Sequence, residues 1–162
     1  MKWKVRMNGM DEEKTHCHSD FSIGSKGNIL NRIGFVADEN SDFDPDYITK
    51  KLNIEPYRTR RMGTPRKNLK SVYPFSSWSA CHQDTPALDA EEQCLQIVRM
   101  LADKIPDLLQ IKSEYNVTFT ITIVPHIYHE EQPVLYFNQE IIDFCHATGT
   151  TIGIDLYIYC KE

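Results

Sequence analysis

The stretch Val117-Thr118-Phe119-Thr120-Ile121-Thr122-Ile123 alternates without a break between an apolar residue and a threonine. A period of two would scatter the apolar residues around a helix, so this segment is a strand. It is apolar on one side only, as in an antiparallel sheet with one face packed and the other open. The chain's fold must supply a cover for the first face and a use, or water, for the second.

Other segments repeat the theme. Ile152-Gly153-Ile154-Asp155-Leu156-Tyr157-Ile158-Tyr159 alternates again and is expected to close the chain as one strand. Ile33 to Ala37 reads as a short strand, and Phe75 to Cys81 as another with Trp78 and Ala80 on one side. Pro133-Val134-Leu135-Tyr136-Phe137 is expected to pair with the threonine strand across a turn at His129 to Gln132.

The cover comes from helices. Asp44-Pro45-Asp46 opens a two-turn helix through Asn53: Asp44 can cap it, Pro45 suits its first position, and Lys50 and Lys51 suit its last turn. Asp89-Ala90-Glu91-Glu92 starts a long helix whose Cys94, Ile97, Val98, Leu101, Ile105, Leu108 and Leu109 form one apolar stripe. Pro106 should kink or restart it. Asn138 caps a further helix that stops at Gly149.

The order is strand, helix, strand, long helix, hairpin, helix, strand. That pattern is α+β: an antiparallel or mixed sheet with helices packed on one face, a relative of the ferredoxin-like folds. Residues 32–162 are expected to form this single domain. Residues 1–31, with Gly9, Gly24, Gly27 and a charged run from Asp11 to Lys14, read as an irregular N-terminal extension with one edge strand at Trp3 to Met7.

Charge and cysteines limit the function classes. The 162 residues carry 18 basic and 23 acidic side chains, a net charge of −5, which argues against a general nucleic-acid binder. No apolar run approaches the roughly 20 residues that span a bilayer, and no apolar stretch follows the basic start, so neither a membrane span nor a secretory signal is expected. Five cysteines without a CxxC spacing read as free thiols of a cytoplasmic protein.

Chemistry has few footholds. His16-Cys17-His18, Cys81-His82, His126, His129 and Cys145-His146 offer metal donors. Neighbours in a strand face opposite ways, so a Cys-His dipeptide does not bring two ligands to one ion, and no metal or cofactor is expected. No nucleophile motif is present, and no P-loop or dinucleotide fingerprint. Asp38, Glu39, Asp42, Asp44 and Asp46 lack the glycine and closing glutamate of a calcium loop. The chain is not expected to be an enzyme.

Two features remain. Arg58, Arg60, Arg61, Arg66, Lys67 and Lys70 make a basic loop free of acids, either a solvated counterweight to the acids upstream or an anion site for phosphates or an acidic surface. Asp155 stands alone in an apolar and aromatic strand, on the side shared with Tyr157 and Tyr159, and suits contact with a partner's Arg or Lys.

The acid-Pro-acid helix start with Leu52-Asn53-Ile54-Glu55-Pro56, the strand Ser77-Trp78-Ser79, the helix Asn138 to Phe144 and the closing Ile152 to Tyr157 resemble a bacterial domain of unknown function, family 4279, over residues 32–159. The resemblance implies a small bacterial protein without an assigned activity. By size and charge such a chain is similar to immunity proteins. The leading expectation is therefore a non-enzymatic, immunity or antitoxin-like protein that binds and blocks a cognate toxin through Asp155, Tyr157, Tyr159, Asp42 and Asp44. The alternative is a nucleic-acid or phosphate binder that uses the basic loop.

Overall fold

The computed structural model describes residues 14–30, 34–67, 69–85, 89–128 and 135–159. In chain order the elements are β1 (His16–Ser25), β2 (Gly27–Leu30), β3 (Gly34–Ala37), α1 (Pro45–Leu52), β4 (Arg58–Arg60), β5 (Ser77–Thr85), α2 (Ala90–Leu101), a short 3₁₀ turn (Ala102–Lys104), α3 (Ile105–Glu114), β6 (Val117–Tyr128), α4 (Gln139–Thr148), β7 (Thr150–Ile154) and β8 (Tyr157–Tyr159). The fold is α+β.

The main sheet runs β4-β5-β1-β6-β7, and β8 pairs β6 beyond the end of β7. β1 lies antiparallel to both β5 and β6, whereas β7 and β8 lie parallel to β6. The sheet is therefore mixed. The crossover β5-α2-α3-β6 has β1 between its two parallel strands, the split unit that ferredoxin-like sheets use. The parallel β6-α4-β7 unit departs from the alternating strand directions of those sheets.

The four helices among the described residues cover one face. Phe21 and Ile23 of β1, Trp78 and Ala80 of β5, and Phe119, Ile121 and Ile123 of β6 share one apolar cluster with Ile48, Leu52, Cys94, Ile97, Leu101, Leu108, Ile111, Ile141 and Phe144. Burying each large side chain contributes about 1.5–3 kcal/mol. The Trp78 indole N–H donates to Thr49 Oγ1 at 3.0 Å, so its polar atom is satisfied inside the core.

Helix ends follow local chemistry. Asp44 accepts from the Asp46 N–H, and Asn138 Oδ1 from the Ile141 N–H. Pro106 falls in the first turn of α3, where its missing N–H costs nothing, and the 3₁₀ turn before it absorbs the break. Gly149 ends α4 in the left-handed region at φ 63°.

Four expectations need correction. Residues 14–30 are not an irregular extension: β1 is the central strand, and a domain boundary at residue 31 would remove it from the sheet. Its side chains alternate, with Cys17, Ser19, Phe21 and Ile23 buried toward the helices. The edge strand proposed at Trp3 to Met7 lies outside the described residues. The hairpin partner of β6 is absent at 135–137, which is not a strand, because β1 and β7–β8 already occupy both sides of β6; residues 129–134 lie outside the described set. The closing strand is two strands. β7 pairs β6 up to Ile123 and β8 resumes at His126, so the gap lies alongside Val124 and Pro125, where proline has no N–H to donate. Finally, the basic segment is not a loop throughout. Arg58 to Arg60 form β4, and 61–75 fold back on themselves through Gly63 N–H to Tyr73 O, Tyr73 N–H to Thr64 O and Arg66 N–H to Ser71 O.

Candidate binding face

Among the described residues no helix covers the second face of the sheet. Register places on it His16, His18 and Asp20 of β1 and Thr118, Thr120, Thr122, His126 and Tyr128 of β6. Tyr157 and Tyr159 of β8 align with His126 and Tyr128 and join the same face.

β5 joins through an irregularity. Phe21 pairs Ala80 and Ser19 pairs Gln83, so Asp20 stands opposite both Cys81 and His82. One extra residue on β5 makes a β-bulge. Strict alternation from Trp78 and Ala80 would bury residue 82 with the core. The bulge inverts the order, and Asp84 pairs His18 on the open face with His82 two residues before it. Cys81 takes up the strain at φ 56°, a left-handed conformation that a non-glycine residue adopts at a cost of about 1 kcal/mol.

Together these strands build a continuous row of rings. Tyr57, just before β4, lies 5.0 Å from His82, and His82 lies 5.7 Å from His18. His18 is 5.6 Å from His126. His126 is stacked between His16 (4.5 Å, 8°) and Tyr157 (5.0 Å, 6°). Tyr128 and Tyr159 stack at 4.3 Å and 9°. At the outer ends, Tyr57 is 47% exposed and Tyr157 44%.

Polar atoms of this row are tied to the sheet. The Tyr57 hydroxyl donates to the Asp20 carboxylate, and His126 Nδ1 lies 2.9 Å from the Tyr159 hydroxyl. The Tyr157 hydroxyl donates to Asp155 at 3.1 Å. Burial lowers the pKa of His18, and neighbouring His82 adds to the effect; burial and then His16 and His18 lower that of His126. Both shifts favour the neutral imidazole. Burial and the bond to Asp20 hold the Tyr57 phenol protonated far into the alkaline range.

The stacking decides what the face offers. Both faces of the His126 ring are covered by its neighbours, so at the middle of the row a ligand meets a ring edge and its nitrogens rather than an open ring face. Nucleobases need open ring faces to stack on. Edges with polar atoms suit hydrogen bonding and side-chain packing by a protein.

Among the described residues no group of three or more His, Cys, Asp or Glu is arranged to hold an ion. Burial pushes the thiol of half-buried Cys81 up to about 11 and that of buried Cys94 up to about 12. His129 lies outside the described residues.

The residues singled out from the sequence separate into three places. Asp155, Tyr157 and Tyr159 sit together at the β8 end of the row. Asp42 and Asp44 do not belong there: Asp42 accepts from Ser76 Oγ at 2.8 Å, and Asp44 caps α1 and pairs Arg61 at 3.1 Å, all at the β4–β5 side of the sheet. The basic residues sit on the same side. Arg58 lies over the Tyr57 ring, and Arg60 and Arg66 both lie over Tyr73. Among the described residues Arg61 alone of the six meets a carboxylate. Lys67 and Lys70 are exposed.

Sequence reasoning passed over Tyr57 and Asp20 as site residues and weighed His82 only as a donor beside Cys81. The pattern His16, His18, Asp20, Ser22 against Cys17, Ser19, Phe21, Ile23 is the signal that would have found Asp20 and the imidazoles. The bulge at Cys81 leaves no comparable mark.

A family model described as a domain of unknown function (DUF4279) matches residues 32–159. The match begins after β1, the central strand. Neither the curated proteins nor the solved structures contain a match.

Proposed function

The chain belongs to the DUF4279 family, and on its geometry we propose that it is a non-enzymatic binding domain whose open sheet face docks a protein partner. The observation that carries this reading is the row of rings from Tyr57 to Tyr157, with Arg58 at one end and Asp155 at the other. Such a surface supplies aromatic area, hydrogen-bonding edges and charges of both signs, the composition of protein interface cores and rims. Thiols held protonated by burial support the non-catalytic side of the reading.

The finer proposal is an immunity or antitoxin-like role in the cytoplasm, with the partner a toxin whose active site the face occludes. The net charge of −5 favours capture of a basic partner. No helix among the described residues is long and apolar enough to cross a membrane.

The test is capture from host lysate by the tagged full chain, with and without nuclease, beside a His82→Ala/Tyr157→Ala variant of unchanged circular dichroism. One stoichiometric protein, resistant to nuclease and lost with the variant, supports the proposal. Protection of the host when that protein is expressed with the chain supports the immunity role. Equal capture by both forms refutes docking on this face.

One observation favours a second reading. Arg58, Arg60 and Arg66 are held on aromatic rings and face no carboxylate among the described residues, which suits phosphates. If nucleic acid is captured, changing these three to alanine should flatten the salt dependence of binding by about one unit of slope per lost phosphate contact.

A further inference from the structure

We propose that β8 is a self-pairing edge, and that a second copy of this chain adds its own β8 antiparallel across a two-fold axis. The two ends of the sheet differ in a way that points there. At one end β4 reads Arg58-Thr59-Arg60, a short strand guarded by two cations. At the other, β8 pairs β6 on its inner side and meets no strand on its outer side among the described residues. Its segment from Leu156 to Tyr159 has no charge, proline or glycine, and Ile158 is 63% exposed. An uncharged edge with unpaired backbone groups is a template for another strand.

The sequence selects both the occupant and the register. Pairing centred on Ile158 sets it against Ile158 of the second copy. Tyr157 then stands opposite Tyr159 of the second copy, on the face where both already stack. Directly opposite residues of an antiparallel pair hold their Cβ atoms about 4.5–5.5 Å apart, close enough for the tyrosines of two copies to extend the 4.3 to 5.0 Å ring stacks of Tyr128 with Tyr159 and His126 with Tyr157. The outer sides of Tyr157 and Tyr159 are where this stacking stops within one chain. A shift of one residue would put the tyrosines on the wrong face. The proposal stands apart from partner docking, and its failure would leave that reading intact; its success would join two open faces into one.

Sedimentation velocity on the full chain tests it, over concentrations up to about 500 μM because an interface this short is at the weak end of specific contacts. The wild type is expected to show a monomer–dimer equilibrium. Ile158→Asp, which sets two carboxylates face to face, should weaken it at least about tenfold, while Ile29→Asp, at an exposed site on β2, should leave it unchanged. In a Cys160→Ser background, Ile158→Cys should form a disulfide-linked dimer on mild oxidation and Ile29→Cys should not. A wild type that stays monomeric throughout would overturn the proposal. So would dimerisation by Ile158→Asp equal to wild type, or a dimer that Ile158→Cys does not cross-link.

Discussion

Replacing Gln93 by leucine should destabilise the domain far more than its single position on α2 suggests. The side chain is 1% exposed and makes three bonds. Its Nε2 donates to the Cys17 carbonyl and to Thr85 Oγ1, both at 2.8 Å, and its Oε1 accepts from Ser19 Oγ at 2.6 Å. One amide thus ties α2 to both β1 and β5. Leucine fills a similar volume, so little cavity is made. It strands the Ser19 hydroxyl, which is fully buried, at a cost of about 1–3 kcal/mol. The two bonds from Nε2 contribute about 0.5–1.5 kcal/mol each, and the added apolar burial offsets part of their loss. The expected net loss is about 2–4 kcal/mol, or a fall of roughly 5–12 °C in Tm for a chain of this length. Urea unfolding followed by far-ultraviolet circular dichroism measures it, with the m-value unchanged. Adding Ser19→Ala removes the stranded hydroxyl and should restore at least about 1 kcal/mol, a non-additivity expected only of side chains in direct contact. A Gln93→Leu loss below about 0.5 kcal/mol, or no rescue by Ser19→Ala, would refute the argument. It would also question whether β1 is locked into the domain by side chains as well as by its ladder.

Three further outcomes follow from the geometry. His18 and His126 have lowered pKa values in the folded state, so near and below the ordinary imidazole value of about 6.5 the unfolded chain binds more protons than the folded one. Stability should therefore be full above that pH and fall as pH drops through it, and the slope of Tm against pH should flatten in a His18→Gln/His126→Gln variant; equal slopes would discount the histidine row. Gly149→Ala forces a side chain into φ 63° and sets its Cβ 2.6 Å from Lys112 Nζ, which donates to the Thr148 and Gly149 carbonyls at 3.0 Å; a loss of about 1 kcal/mol or more in chemical denaturation is expected. Tyr57→Phe leaves the buried Asp20 carboxylate without its phenol donor and should cost about 1.5–3 kcal/mol by the same assay, a bond to a charged group being stronger than a neutral one.

The helices and β6 were readable because their signals are local. A cap, a proline at the first turn and a glycine after the last each act within a few residues, as Asp44, Pro45, Asn138 and Gly149 do. β1 was hidden by its polar content. Buried Ser19 looks like a surface residue in a one-dimensional pattern, and only Gln93, some seventy residues on, satisfies it. The hairpin expected after β6 failed for a nonlocal reason too: β1 had taken the position that a sequential neighbour would fill. A strand's partners depend on which edges are already occupied, and that is a property of the whole sheet.

The open face was half readable for the same reason. Tyr157, Tyr159 and Asp155 lie on one strand, and alternation alone places them together. Their stacking partner His126 comes from β6, His16 and His18 from β1, and His82 arrives only because one extra residue at Cys81 turns β5 over. The acids at Asp42 and Asp44 show the converse error. Close in sequence to a helix start, they are consumed by the Ser76 hydroxyl, the Asp46 amide and Arg61, and an acid already bonded has less to offer a partner than Asp155, whose one side-chain bond is to an exposed tyrosine. Charge reversal at Asp155 should therefore disturb docking where reversal at Asp44 disturbs the cap of α1, and the two effects separate cleanly as binding loss against stability loss.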